Sequence, residues 1–130
     1  KQKNKERLIP ILIDVNNYGE FKEVLSKALV KHHIDAIIGV DQFSAISAMN
    51  IVQSRELNVP NDVSVIGLTN GILAKCTNPP LTTVSQHAYK IGKLALRRVI
   101  KRIENPGIIE ISNKVLKTEF KLRSSTKALK

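Results

Sequence analysis

Residues 58–86 read NVPNDVSVIGLTNGILAKCTNPPLTTVSQ, and their order decides what kind of fold the chain adopts. A turn built on Pro60 leads into the buried-strand pattern Val63–Leu68, and a loop of small and polar residues follows. Pro79-Pro80 stop that loop before a second short strand, Leu81–Val84. A strand running through a glycine into a polar loop is where open α/β sheets place their ligands, in the crevice beyond the strands' carboxyl ends.

Working outward, the same alternation continues on both sides. Arg7–Val15 (RLIPILIDV) is a short apolar run rich in β-branched residues and reads as a strand starting just after Pro10. Asn16, Asn17 and Gly19 form a turn, and Phe21, Val24, Leu25, Ala28 and Leu29 then follow helical spacing to near His32. Asp35–Val40 (DAIIGV) is a further buried strand. Asp41 stands where a helix N-cap is wanted, and Ala45, Ile46, Ala48, Met49, Val52 and Leu57 mark the helix's apolar stripe. Asn58–Asp62, with Pro60, end that helix.

Past the central stretch, the loop has room for one helical turn around Ile72–Cys76. Ile91, Leu94, Ala95, Val99 and Ile103 are the stripe of a long amphipathic helix stopped by Asn105-Pro106-Gly107. Leu116, Thr118, Phe120 and Leu122 alternate with Lys117, Glu119, Lys121 and Arg123, the period of a strand with one wet face. The lysine-rich ends, 1–6 and 124–130, read as frayed. The order β-α-β-α-β-loop-β-α-β predicts an α/β fold, a three-layer, mostly parallel sheet with helices on both faces, in one domain spanning 1–130.

Composition narrows the functions open to such a fold. The chain has 130 residues, 42% apolar and 25% charged, ordinary values for a water-soluble domain. No apolar run approaches the ~18 residues of a membrane span, and KQKNKERL lacks the hydrophobic region of a signal peptide. Cys76 is alone, so no internal disulfide forms, which fits a reducing compartment. The chain reads as cytoplasmic, with no membrane partner. A net charge of +10 invites a nucleic-acid reading, but the cations cluster at both chain ends and along 86–104. Only five aromatic residues occur, too few among the cations to stack on successive bases, so a solvated lysine-rich surface accounts for the charge.

Chemistry is expected at the strand ends. Asn16–Tyr18, Asp41-Gln42, Thr69-Asn70 and Ser85-Gln86 each follow a strand in sequence. These groups accept and donate hydrogen bonds without acting as strong acids, bases or nucleophiles, a set suited to recognising a polar ligand. Each also has a plainer reading: Asp41 as a helix cap, Thr69 and Asn70 as partners of loop backbone, Gln86 as a first-turn helix residue, Tyr18 as a packed aromatic. His32, His33 and His87 lack neighbours at metal-ligand spacing, and Cys76 lacks a nearby base. No phosphate-binding glycine loop, nucleophile elbow or HExxH motif occurs. No catalytic residue, metal or cofactor is expected.

The motifs DAIIGVDQFSAISAM, VPNDVSVIGL, PPLTTVSQ with Ile91-Gly92 after it, and the closing TEFKLRSST occur in this order over residues 35–126. Together they resemble the LacI family of bacterial transcriptional regulators. The resemblance implies a periplasmic-binding-protein-like effector domain, here its C-terminal subdomain, with the helix-turn-helix head and most of the N-terminal subdomain absent from the chain. It implies a small-molecule effector, operator DNA bound through that head, and a homodimer. Carried over residue by residue, Asp41 stands where relatives often have Asn, and Gln86 matches a cleft Gln. Thr69 stands where many relatives have an Asp that takes two ligand hydroxyls, and His87 replaces a usual Pro. The expected ligand set is Asp41, Thr69, Asn70, Gln86, Tyr18 and Asn16. The stretch Asn70–Asn78, with the second helix, resembles the family's dimer surface and implies Ile72, Leu73, Cys76 and Met49 as interface residues. Strand–helix alternation alone also allows a receiver-like or stand-alone binding domain, and the basic helix 86–104 a nucleic-acid-binding module.

Overall fold

The computed structural model describes residues 8–12, 14, 17–107 and 113–128. Among the described residues, four helices and four strands alternate along the chain. Helix α1 (Tyr18–Lys31) starts at Asn17, whose Oδ1 accepts from the Glu20 N–H at 3.1 Å while its Nδ2 donates back to the Glu20 carboxylate. Strand β1 (Ala36–Gly39) leads into α2 (Gln42–Gln53) and then β2 (Ser64–Gly67). The short α3 (Leu73–Cys76), β3 (Thr82–Ser85), α4 (Ala88–Glu104) and β4 (Glu119–Lys121) complete the order.

The sheet runs β1-β2-β3-β4. β1 pairs parallel with β2 (Ile37↔Val65), β2 parallel with β3 (Ile66↔Thr82), and β3 antiparallel with β4 (Val84↔Phe120). The mostly parallel α/β sheet is therefore as expected, with the wet-faced terminal strand as its antiparallel edge.

Two apolar clusters sit around α2. Ala45 and Met49 meet Val65, Ala74 and Leu81; on the helix's other flank Ala48 and Ile51 meet Phe21 and Leu25 of α1, with Ile37 against them. Each fully buried Leu or Met here contributes roughly 1.5–3 kcal/mol. Met49, expected at a subunit surface, is 1% exposed in this core. Its position on α2 turns it toward β2, so it belongs to packing and not to an interface.

Other expectations need correction. Of the strand expected to start just after Pro10 and run to Val15, the described residues 11, 12 and 14 form no strand, and residues 13 and 15 lie outside the description. Ile11 packs its side chain against the α1–α2 cluster instead. Helix α2 stops at Gln53 and does not reach Leu57, because the chain turns through a left-handed Glu56 before Pro60 is reached. Gln86 lies outside α4, which begins at Ala88 with His87 as its N-cap.

The tail is also not frayed over 124–127. Ser124 and Ser125 donate their N–H groups to the Pro80 carbonyl, Val65 N–H donates to the Ser125 carbonyl, and Lys127 N–H reaches the Ser64 hydroxyl. Ser125 is fully buried. Residues 1–6, 129 and 130 lie outside the description.

Helices cover the sheet unevenly. α2 packs on the face that carries Ile37 and Val65, and α1 packs on α2. On the opposite face Ile38 and Phe120 remain 63% and 57% exposed. α4 buries none of its residues, so among the described residues it does not supply the second helical layer. Alternation along a sequence sets the order of elements; whether a helix lands on a sheet depends on contacts that this pattern does not contain.

Candidate functional site

The ends of β2 and β3 and the start of α4 border an open hollow of about 530 Å³. Thr69, Asn70 and Gly71 come from the loop after β2; Ser85, Gln86 and His87 from the turn after β3; Ala88, Tyr89 and Lys90 from the first turn of α4. β2 and β3 are parallel neighbours, so both strands release their loops on one side of the sheet.

Local chemistry shapes each wall. The Thr69 hydroxyl accepts from the Gly71 N–H at 3.3 Å, turning the loop tightly after β2. His87 adopts φ 54°, a left-handed conformation that reverses the chain between β3 and α4, and its N–H reaches the Ser85 hydroxyl at 3.4 Å. The His87 side chain makes no cap bond to α4. Its Nε2 instead stands 3.9 Å from the Glu119 carboxylate on β4, which Lys121 also approaches at 3.4 Å.

Arg123, just past β4, ties the far wall together. Its guanidinium donates to the Leu81 carbonyl, to the Thr83 hydroxyl at 3.1 Å and to the Asn70 amide oxygen at 3.3 Å. Its own N–H donates to the Thr82 hydroxyl at 3.0 Å. Sequence reasoning missed this residue because the period-two pattern placed it on a wet face. The one available signal was its place in the TEFKLRSST motif, which says nothing of what the side chain touches.

Thr69, Asn70 and Gln86, expected as ligand residues, are thus brought to one hollow. Asp41 and Tyr18 are not among its lining residues. Asp41 caps α2, its Oδ1 accepting from Ser44 N–H at 2.7 Å while the Ser44 hydroxyl answers the Asp41 N–H at 3.2 Å. Tyr18 stands edge-on to Phe43, ring centroids 6.2 Å apart. Asn16 lies outside the described residues. His87, Tyr89 and Lys90 join the lining without having been expected there. Their signal was adjacency to Gln86, which reads as helix when taken alone.

Two carboxylates are held below their usual range, and neither lines the hollow. Asp62 accepts from both the backbone and the side-chain N–H groups of Asn58, and Glu23 pairs with Lys27 one turn along α1. Among the described residues, no three His, Cys, Asp or Glu side chains gather as a metal site would require. No helix among them is long and apolar enough to cross a membrane. Ile72, Leu73 and Cys76, expected at an interface, are all exposed.

The comparisons with known proteins agree with this architecture. Residues 6–126 match the periplasmic binding protein-like domain. The transcriptional regulator RegA of Clostridium saccharobutylicum is 38% identical over 82 residues, 63% of this chain and 24% of that protein. The transcriptional repressor PurR of Histophilus somni is 33% identical over 112 residues, 82% of this chain and 32% of that protein. Among solved structures, the transcriptional regulator CelR in complex with cellobiose superposes with a TM-score of 0.72 at 26% identity, covering 84% of this chain and 32% of that one. The chain therefore spans about a quarter to a third of the length of the curated relatives it matches. With the match running through nearly all of its length, the chain belongs to the family of periplasmic-binding-protein-like domains found in LacI-type regulators.

Proposed function

We propose that this chain is the effector-sensing and self-associating part of a DNA-binding transcriptional regulator. It binds a small polar molecule, of sugar or nucleobase size, in the hollow between the β2 and β3 loops. One observation carries the reading: Thr69, Asn70 and Gln86 reach a single hollow from two different loops. Relatives named as transcriptional regulators and repressors, and one solved with a disaccharide bound, support it.

In the complete protein, ligand shifts the affinity of a helix-turn-helix for operator DNA, a coupling of typically about 1–3 kcal/mol. Such a protein works in the cytoplasm, beside DNA, and performs no reaction of its own. The copies meet through α3 and its flanks, where Ile72 and Leu73 stand 69% and 52% exposed. Leaving such a pair bare on a monomer invites aggregation.

Calorimetry with a panel of sugars, nucleosides and their derivatives tests the sensing role. Asn70→Ala and Gln86→Ala should each weaken a binding member by roughly tenfold, the loss of one or two hydrogen bonds. A ligand whose affinity neither variant changes sinks the assignment of this hollow. For self-association, Leu73→Asp should shift the sedimentation profile toward monomer, and an unchanged profile rules the α3 surface out.

A further inference from the structure

We infer that the hollow is built for a ligand bearing an oxyanion, a phosphate or a carboxylate, and that Arg123 makes it so by setting the Asn70 amide. This rests on the reading of the hollow as an effector site and narrows what that effector is.

A guanidinium carries five N–H donors and no acceptor. Beside it, the Asn70 amide has one usable orientation, with Oδ1 toward Arg123, where it accepts at 3.3 Å. The amide's two N–H groups are then what Asn70 has left to offer, and Asn70 lines the hollow. Arg123 cannot swing away freely, because its other nitrogen is held on the Thr83 hydroxyl and the Leu81 carbonyl, and its backbone on Thr82. Thr83 and Leu81 are fully buried, so the guanidinium is anchored on a rigid base.

The rest of the wall leans the same way. The Thr69 and Ser85 hydroxyl oxygens each accept a backbone N–H, leaving their protons to donate. Lys90 brings donors, and the lining contains no Asp or Glu. The nearest carboxylate from the opposing strand, Glu119, faces Lys121 and His87. Asp41 is spent on the α2 cap. A neutral polyol is held best by carboxylates that accept its hydroxyl protons, and this wall offers only neutral acceptors, the Gln86 amide oxygen and the hydroxyls. An oxyanion needs only donors, and charge-assisted bonds to it are about twice as strong as neutral ones.

The test follows side-chain and backbone amide NMR signals of the chain at constant ionic strength, titrated in turn with inorganic phosphate, acetate and ribose. Saturable shifts confined to Thr69, Asn70, Gln86 and Lys90 are expected, with phosphate or acetate acting at concentrations roughly tenfold below ribose. Whichever anion acts at the lower concentration distinguishes a phosphate from a carboxylate ligand. Arg123→Lys keeps the charge but not the fork, and should erase the preference for anion over ribose and move the Asn70 side-chain signals. Should that variant fail to fold, Asn70→Asp on the exposed loop serves instead and should abolish the anion response.

Shifts spread evenly over the basic surface, or ribose acting at or below the anion concentration, overturn the inference and leave the effector reading standing. If none of the three probes moves the hollow's signals and the wider ligand panel also misses it, the effector reading fails with it. A preference that survives Arg123→Lys removes Arg123 from the account.

Discussion

The Ser125 hydroxyl donates to the Val65 carbonyl at 2.6 Å across 60 positions of sequence, inside a completely buried site. The same oxygen accepts the Thr82 N–H at 2.7 Å, so one side chain stitches β2 to the start of β3 from a third segment. This places the chain's tail within the sheet and, two residues earlier, sets Arg123 beneath the hollow.

Ser125→Ala should therefore destabilise the fold by about 1–3 kcal/mol, the cost of stranding the buried Thr82 N–H without an acceptor. Urea unfolding measures it. A midpoint shift within error of the parent would mean that the tail is not integrated.

Gly39 ends β1 where α2 passes closest. A Cβ there would stand 2.5 Å from the Ala45 backbone, which cannot move without displacing the helix. Gly39→Ala should cost about 1–3 kcal/mol or more in thermal unfolding. By contrast a Cβ on Gly92, in the middle of α4, meets nothing within 4 Å, and Gly92→Ala should stabilise by roughly 0.5–1 kcal/mol. Equal effects from the two would contradict the packing of α2 on β1.

Asp41 separates capping from ligand contact cleanly. Asp41→Ala should cost about 1 kcal/mol, and Asp41→Ser should recover most of it, because Ser also accepts from the N3 N–H. Ligand affinity measured on the Ser variant should match the parent, since Asp41 does not line the hollow. A loss of affinity at unchanged stability would return Asp41 to the binding set.

Asp62 sets an acid limb. Hydrogen bonds from Asn58 lower its folded pKa, so its contribution is complete above the unfolded chain's carboxylate value and is gone once the pH has fallen through the lower folded one. Asp62→Asn should flatten that part of the stability–pH curve, lying slightly below the parent at neutral pH and close to it at acid pH. Carboxyl NMR titration of Asp62 should place its midpoint below that of an unpaired Asp; a midpoint at or above the ordinary range excludes the Asn58 contact.

Much of the fold was legible in residue order. β1 and β2 fell within Asp35–Val40 and Val63–Leu68, and β3 (Thr82–Ser85) ran one residue past the expected Leu81–Val84, because short apolar runs flanked by turns have few other readings. α1 and α2 followed from apolar spacing, with Asp41 expected as the cap of α2; α1 starts at Tyr18, capped by Asn17, which the sequence reading placed in a turn. The site was half legible: Thr69, Asn70 and Gln86 follow strands directly, so parallel pairing alone brings them together. Arg123 was not, since its partners lie 40 to 53 positions away. Nor was the burial of Met49, because a periodic stripe shows which residues share a face and not which neighbour covers it.

The residue pattern by itself determined the alternation of strand and helix, the parallel core of the sheet and the polar character of its strand ends. These are local or nearest-neighbour properties, governed by periodicity, caps and turns. Only the tertiary structure decided that Ser125 closes the sheet, that Arg123 holds the Asn70 amide, and that α4 stands away from the core. Those depend on contacts between segments far apart in sequence, whose energies are comparable to the local preferences but leave no periodic trace along the chain.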